Sequence, residues 1–347
     1  MKAAVFEQFR GPVEVRTVPD PSPADDAAVI AVRACGICRS DWHGWMGHDS
    51  DVQLPHVPGH ELAGEIVAVG KHVRNYRAGE RVTVPFCCGC GRCRQCQQGQ
   101  QHICDSYTQP GFTQWGAFAD LVEIRHADVN LVTLPEEMGF MTAAGLGCRF
   151  ATAFRAVVFQ GQAAAGDWMT VHGCGGVGLS AIQIGRALGL QVIAVDVQDE
   201  RLQLAQECGA LHTLNAVKTP DIPAAVHDLS RGGTQLSLDA LGSRATCADS
   251  ILSLAKRGRH VQVGLMLGEE ADPPIPMSAV IGRELELLGS HGMQAHEYPR
   301  MLQMISAGML NPDQLITDSV SLEEGAALLM RMSQFPGRGV TVIDLNR

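Results

Sequence analysis

Within six positions the chain sets four groups that can do chemistry: the thiol of Cys38, the hydroxyl of Ser40, the carboxylate of Asp41 and the imidazole of His43. Thiolate and imidazole are metal donors, and a hydroxyl near an imidazole can pass a proton. Cys35 and Cys38 are also spaced as a Cys-x-x-Cys pair, which on its own fits a redox couple or a small closed metal site. Only Cys38 is followed by Ser-Asp-x-His, so Cys38 is the expected ligand and Cys35 a small buried residue. A second donor pair, His60-Glu61, follows Gly59 and precedes residues 65–69, which read as a buried strand bracketed by Gly64 and Gly70. A His-Glu pair at a strand edge is more often hydrogen-bonded than metal-bound, so its weight rests on partners elsewhere. The candidates are Cys38 upstream and Cys148 downstream. The latter sits in an Ala-rich, helically patterned stretch, 138–159, where a single cysteine ordinarily belongs to the core.

Four further cysteines share one spacing. Cys90, Cys93, Cys96 and Cys104 follow C-x2-C-x2-C-x7-C, short enough for one loop to wrap four thiolates around a tetrahedral ion and leave no open position. Such a closed site is structural. Zinc suits it, although an iron-sulfur cluster also takes four cysteines. Cys87, Cys88 and His102 are surplus donors whose simpler role is packing or solvation.

A third constellation is Gly173-Cys174-Gly175-Gly176-Val177-Gly178, which follows an expected strand at 168–172 and opens an amphipathic helix running to residue 188. This is G-x-G-x-x-G in the context a dinucleotide site requires, with Asp196 closing the next strand, 191–195. The glycines admit a pyrophosphate to the amides of a helix N-terminus. Asp196 would accept hydrogen bonds from a ribose and repel a 2'-phosphate, which predicts NAD rather than NADP.

These groups need a scaffold. At 347 residues two domains are expected, and 46% hydrophobic residues with 38 Gly and few aromatics suit an α/β protein with many tight turns. Short β-leaning runs at 2–7, 13–18, 28–34, 81–84, 117–124 and 131–134 make the first part β-rich. From residue 167 strands and helices alternate: strands at 211–214, 235–239, 260–264 and 284–289, helices at 222–229 and 244–255, implying a doubly wound parallel sheet. The last part, with helices at 297–307 and 322–335 and a strand at 340–344, is expected to return to the first domain. Lys+Arg 27 against Asp+Glu 37, a net charge of -10, argues against a nucleic-acid partner. No stretch approaches the ~18 apolar residues of a membrane span, and Glu7 arrives too early for a secretory apolar core. The expectation is a cytoplasmic protein in which twelve cysteines would be odd as disulfides and the clustered ones point to metal sites.

Gly59-His60-Glu61-Leu62-Ala63-Gly64, continued by Gly70 and Val73, resembles the zinc signature of the medium-chain, zinc-dependent alcohol dehydrogenase family, and the order of motifs agrees over essentially the whole chain. The resemblance implies a GroES-like β-rich catalytic domain at 1–149 carrying both zinc sites, a NAD-binding Rossmann domain at 150–289, and a return to the catalytic domain at 290–347. It implies that Cys38, His60 and Cys148 bind a catalytic zinc, with Glu61 able to approach the metal, and that Cys90, Cys93, Cys96 and Cys104 hold a structural zinc. The implied reaction is reversible oxidation of primary or secondary alcohols to aldehydes or ketones with NAD. Zinc would lower the pKa of the alcohol, and the proton would leave through Ser40 and the cofactor ribose to His43. Asp41 resembles the carboxylate that orients His60. Arg39 and Arg201 resemble positions that meet the cofactor pyrophosphate and adenosine ribose; Thr152 and Val177 resemble those near the nicotinamide.

Trp42, Trp45, Phe86 and Trp115 could wall a pocket for uncharged aliphatic or aromatic alcohols, each with core packing as its alternative. Arg39, where polyol and threonine dehydrogenases of the superfamily often carry Gly, leans toward simple alcohols over a polyol or amino-alcohol. A zinc-stapled cofactor sensor is the non-enzymatic alternative, but a sensor needs neither an open metal site nor a proton exit. The resemblance also suggests a homodimer or homotetramer. No role emerges for Cys87, Cys88 or Cys174.

Overall fold

Residues 28–36 are small and branched apolar with one interruption, Arg33, and they form the strand Ala28–Gly36, buried along almost its whole length. A strand covered on both faces reads as a continuous apolar run. In the computed structural model, which describes residues 1–334 and 339–346, this strand is central to the first unit's main sheet. From one edge the order is Ile316–Val320, Val340–Asp344, Ala28–Gly36, Glu61–Val69, Arg81–Thr83 and Val132–Thr133, with Leu121–Ile124 also paired to Ala28–Gly36. Ala28–Gly36 and Glu61–Val69 run antiparallel with Gly36 opposite Glu61 and Cys35 opposite Leu62. That register places the exit of one strand, leading to Cys38, beside the entry of the other, led by His60. A core of Phe6, Ile30, Leu62, Ile66, Phe118 and Ile124 packs against the sheet.

The second unit holds a parallel sheet in the order His212–Asn215, Gln191–Asp196, Trp168–His172, Thr234–Asp239, Leu254–Gln262, Glu286–Gly289. Numbered along the chain, this is the doubly wound 3-2-1-4-5-6 pattern, whose ligands bind at the carboxyl ends of the strands. Met169, Val171, Ile193, Ala194, Leu236 and Leu238 are buried within it.

The first unit comprises Met1–Ala151, Gly292–Ser306 and Ile316–Arg347, and the second Thr152–His291 with Ala307–Leu315. The tail expected to return whole to the first domain is thus split, because Asn311 is tied to Gln183 through Gln183 Nε2 to Asn311 O at 2.8 Å and Asn311 N to Gln183 Oε1 at 3.0 Å.

Other elements differ from expectation. The residues after Cys38, where no element was expected from the sequence, form a helix, Arg39–Met46. Its Trp, His and Gly content is a weak helix signal, but Asp41 Oδ2 accepts from the backbone N–H of Cys38 at 2.9 Å, and Gly47, at φ 79°, ends it. The stretch 117–124 is a strand only at Leu121–Ile124. The single helix expected at 138–159 is broken into α-helical Phe140–Ala144 and Ala151–Phe154 and π-helical Leu146–Phe150 and Arg155–Gly161. Helices Asp199–Glu207 and Met277–Arg283 and the strand Ile316–Val320 were not legible. The helix expected to reach Phe335 stops at Met330, and Phe335 itself lies outside the described residues.

Candidate functional site

Asp41 organises the first cluster. Its Oδ2 holds the Cys38 backbone, and its Oδ1 accepts from Gly59 N at 3.0 Å and from His60 Nδ1 at 2.8 Å. One buried carboxylate thereby ties the helix start, the turn and the imidazole together. Gly59 is required here: at φ +107° a Cβ would lie 2.5 Å from the Phe118 ring and 2.6 Å from its backbone nitrogen. Cys148 arrives on the π-helical turn Leu146–Phe150, an irregularity common at functional sites.

The donor atoms of Cys38, His60, Glu61 and Cys148 all lie within 4.8 Å of one another. With Nδ1 of His60 committed to Asp41, its other ring nitrogen, Nε2, is buried and makes no hydrogen bond of ordinary geometry. Its neighbour there is the Cys38 thiol. Burial pulls His60 toward neutrality, but the charge and hydrogen bond of Asp41, aided by Cys38, raise its pKa well above the usual value. Cys38 is held well below the usual thiol range, first by its hydrogen bond with Cys148, whose own pKa rises well above that range. A thiolate, a second sulfur and an imidazole that draw positive charge fit a zinc ion, with three protein ligands and a fourth position for substrate.

Glu61, a member of this cluster, is also paired with Arg149. It is fully buried, and its carboxylate is clamped by Arg149: Nε donates to Oε1 at 2.9 Å, the Arg149 backbone N–H to the same oxygen at 3.2 Å, and Nη2 pairs with Oε2. Burial pushes the Glu61 carboxyl up, and Arg149 opposes that shift. Sequence reasoning gave Arg149 no role. The signal was present: an arginine inside an apolar stretch needs a buried anion.

Cys38 Sγ lies 3.8 Å from Ser40 Oγ, and His43 follows Ser40 by three residues on the same helix face. The rings of Phe86 and Phe112 meet the His60 ring edge-on, at centroid distances of 6.1 and 5.4 Å. Phe112 had no sequence signal. Of the other aromatic candidates, Trp45 is in the core with its indole N–H on Gly11 O at 2.8 Å. Trp115 is partly exposed and bonded to Pro55 O. Trp42 packs against His43, His48 and the Arg39 guanidinium rather than against His60.

The donor atoms of Cys90, Cys93, Cys96 and Cys104 also gather within 4.8 Å, and the twelve cysteines are free thiols. Backbone amides are turned toward the sulfurs: Cys90 N to Cys104 Sγ at 3.3 Å, Cys93 N to Cys90 Sγ at 3.4 Å, and Ser106 N to Cys104 Sγ at 3.3 Å. Burial raises the Cys90 thiol, but the amides of Arg92 and Cys93 outweigh it and bring it to about 6, whereas burial and the Cys93 hydrogen bond push Cys96 up to about 12. Four sulfurs this close ionise together only around a cation. Cys87 and Cys88 are buried; Cys88 Sγ contacts Pro85 O at 3.4 Å and Cys87 Sγ contacts Met293 O at 3.9 Å.

In the second unit the glycine loop opens the helix Gly176–Ala187, whose first turn carries Val177 and Gly178. A Cβ on Gly178 would stand 1.8 Å from Gly173 O, so packing alone demands that glycine. A Cβ on Gly175 would meet nothing within 4 Å. Space kept open beside a helix N-terminus fits an incoming pyrophosphate. Asp196 is buried, with Oδ2 accepting from Cys174 N at 2.7 Å and Oδ1 from Gln198 N at 3.0 Å. Each oxygen retains acceptor capacity for a ribose hydroxyl. Thr152 Oγ1 is buried without a hydrogen-bond partner, and Arg201 lies on the helix Asp199–Glu207.

Comparison with known proteins agrees with both units. Residues 24–136 match the family model for the alcohol dehydrogenase GroES-like domain, and residues 176–307 that for the zinc-binding dehydrogenase. An alcohol dehydrogenase of Geobacillus stearothermophilus is 32% identical, covering 99% of this chain and 100% of that protein. An NAD-dependent alcohol dehydrogenase of Sulfurisphaera tokodaii is 29% identical, covering 99% of each. Among solved structures, the alcohol dehydrogenase of Thermus sp. ATN1 superposes with a TM-score of 0.91 at 28% identity, covering 99% of each chain.

Proposed function

The chain belongs to the medium-chain, zinc-dependent alcohol dehydrogenase family, and from that premise we propose how its own residues carry out the reaction. It is an oxidoreductase that interconverts alcohols with aldehydes or ketones using NAD and zinc. Zinc, when bound, supplies a Lewis acid for the alcohol oxygen, and NAD supplies the hydride acceptor. Cys38, His60 and Cys148 hold the catalytic metal; Asp41 keeps the His60 proton on Nδ1 so that Nε2 presents its lone pair. Glu61, clamped by Arg149, stands within 4.8 Å of the other three donors and can approach the metal. Ser40 takes the alcohol proton, and His43, one turn along the helix, passes it outward. Cys90, Cys93, Cys96 and Cys104 hold the second zinc as a staple. The glycine loop, Asp196 and Arg201 receive the adenosine half of NAD, Arg39 its pyrophosphate, and Thr152 and Val177 its nicotinamide.

The observation that carries the reading is the convergence of Cys38, His60 and Cys148, with a buried imidazole nitrogen left over for a metal. Phe86 and Phe112 beside His60 favour uncharged aliphatic or aromatic alcohols. The test is NADH formation when zinc-loaded protein meets NAD and a panel of primary, secondary, aromatic and polyol alcohols. Turnover is expected with simple alcohols and preferentially with NAD. No NADH from any of them would refute the assignment. The free thiols support a cytoplasmic location. The strand Glu286–Gly289 ends its sheet, and exposed Met277 and Ile281 lie on the helix just before it, which supports a homodimer or homotetramer joined at that edge. Light scattering that finds a monomer would exclude it.

A further inference from the structure

Beyond His43 stands a group that the family assignment does not use. Nδ1 of His48 lies 3.0 Å from Nδ1 of His43. The contact is built rather than incidental. His48 closes the helix by donating its backbone N–H to His43 O at 3.0 Å, just past the left-handed Gly47. Trp42 presents an edge-on contact to both imidazoles, with centroids 5.0 and 5.7 Å away, and is itself capped by the Arg39 guanidinium at 4.8 Å. The two rings differ in surroundings: His43 is half-buried and His48 exposed.

We propose that His48 is the outer member of the proton exit, accepting through His43 the proton released by the alcohol and delivering it to bulk water. Two facing Nδ1 atoms at this distance share a single proton between them. A proton arriving at His43 Nε2 lets the Nδ1 proton of His43 move to His48 Nδ1, and His48 Nε2–H then gives its proton to water or buffer. One proton enters and one leaves; exchange with solvent restores the starting tautomers. Burial, with the charges of Arg39 and His48, lowers the proton affinity of His43, against a smaller opposing effect of Cys38. His43 therefore hands its proton on rather than keeping it. His48 acts through His43 and is in that sense a positioning residue.

The inference rests on the proposed Ser40–His43 route, and its test separates the two. The variant is His48→Gln in the zinc-loaded holoenzyme; the site is exposed, so folding is not at stake. In dilute buffer at neutral pH its turnover is expected to fall about 10-fold, with zinc content and NADH affinity unchanged. A bulky tertiary-amine buffer is expected to restore most of the loss, and the loss to shrink as pH rises. In parallel, nitrogen NMR of histidine-labelled protein is expected to show the His43 titration displaced in His48→Gln. Full turnover in dilute buffer, a loss that buffer does not restore, or an unmoved His43 titration each overturns the proposal. If the wild type oxidises no alcohol, the proposed function falls, while the NMR comparison still decides whether the two rings share a proton.

Discussion

Arg149→Met removes the guanidinium that clamps the Glu61 carboxylate while roughly keeping the length of the side chain. Glu61 is fully buried and Arg149 nearly so, with side-chain exposures of 0% and 11%. Two guanidinium contacts and one backbone N–H converge on the two carboxylate oxygens. Breaking a buried pair by deleting one partner strands a charge and costs about 3–5 kcal/mol. For a unit of roughly 200 residues that corresponds to a fall in Tm of about 6–20 °C in the first unit. The assay is thermal unfolding of zinc-loaded protein with bound zinc counted beforehand, so that metal loss is not mistaken for lost pairing. Arg149→Met/Glu61→Gln, which removes both charges, should recover more than half of the loss, because the charge stranded by the single change is gone. A single variant within about 2 °C of wild type would refute the reasoning. So would a double variant as unstable as the two single losses added together.

Asp41→Asn keeps the shape but weakens the anchors on His60, Cys38 and Gly59, and should lower affinity at the first zinc site by about 10–100-fold in chelator competition, with the four-cysteine zinc retained. Gly175→Ala, whose Cβ meets nothing in the chain, should leave Tm unchanged yet weaken NADH binding by about 10-fold or roughly 1.4 kcal/mol. Gly178→Ala, driven into Gly173 O, should instead destabilise the second unit by at least about 1–3 kcal/mol. Burial, helped by His260, lowers His172 from 6.5 to about 3, so its neutral form stabilises the fold above pH 6.5, and that contribution is lost as pH falls toward 3, at about 1.4 kcal/mol per unit. The stability gap between wild type and His172→Leu should therefore shift by about 2–3 kcal/mol in favour of the variant between pH 6.5 and 4.5.

Much of this site was legible because its signals are local. C-x2-C-x2-C-x7-C closes on itself within one loop, and the glycine motif needs only the strand before it and the helix after it. The first cluster was legible only as types of residue: Cys38 and His60 gain meaning from the register that sets Gly36 opposite Glu61, Cys148 from the π-helical turn Leu146–Phe150, and neither strand pairing nor such a turn is written in spacing. Arg149, Phe112 and His48 were missed for the same reason, since each acts through a neighbour distant in sequence or fixed by a turn. The helix Arg39–Met46 was hidden by weak propensity and is rescued by a side-chain cap. Trp45 looked like a pocket wall by type, but its indole N–H has a backbone partner in the core.

The central claim is that Cys38, His60 and Cys148 hold the metal on which the reaction depends, separately from the four-cysteine staple. Counting zinc in Cys38→Ala beside the wild type tests it most directly. The expected result is a fall from about two to about one zinc per chain together with loss of alcohol oxidation, in a protein that still binds NADH. Zinc content unchanged at about two per chain would contradict the account.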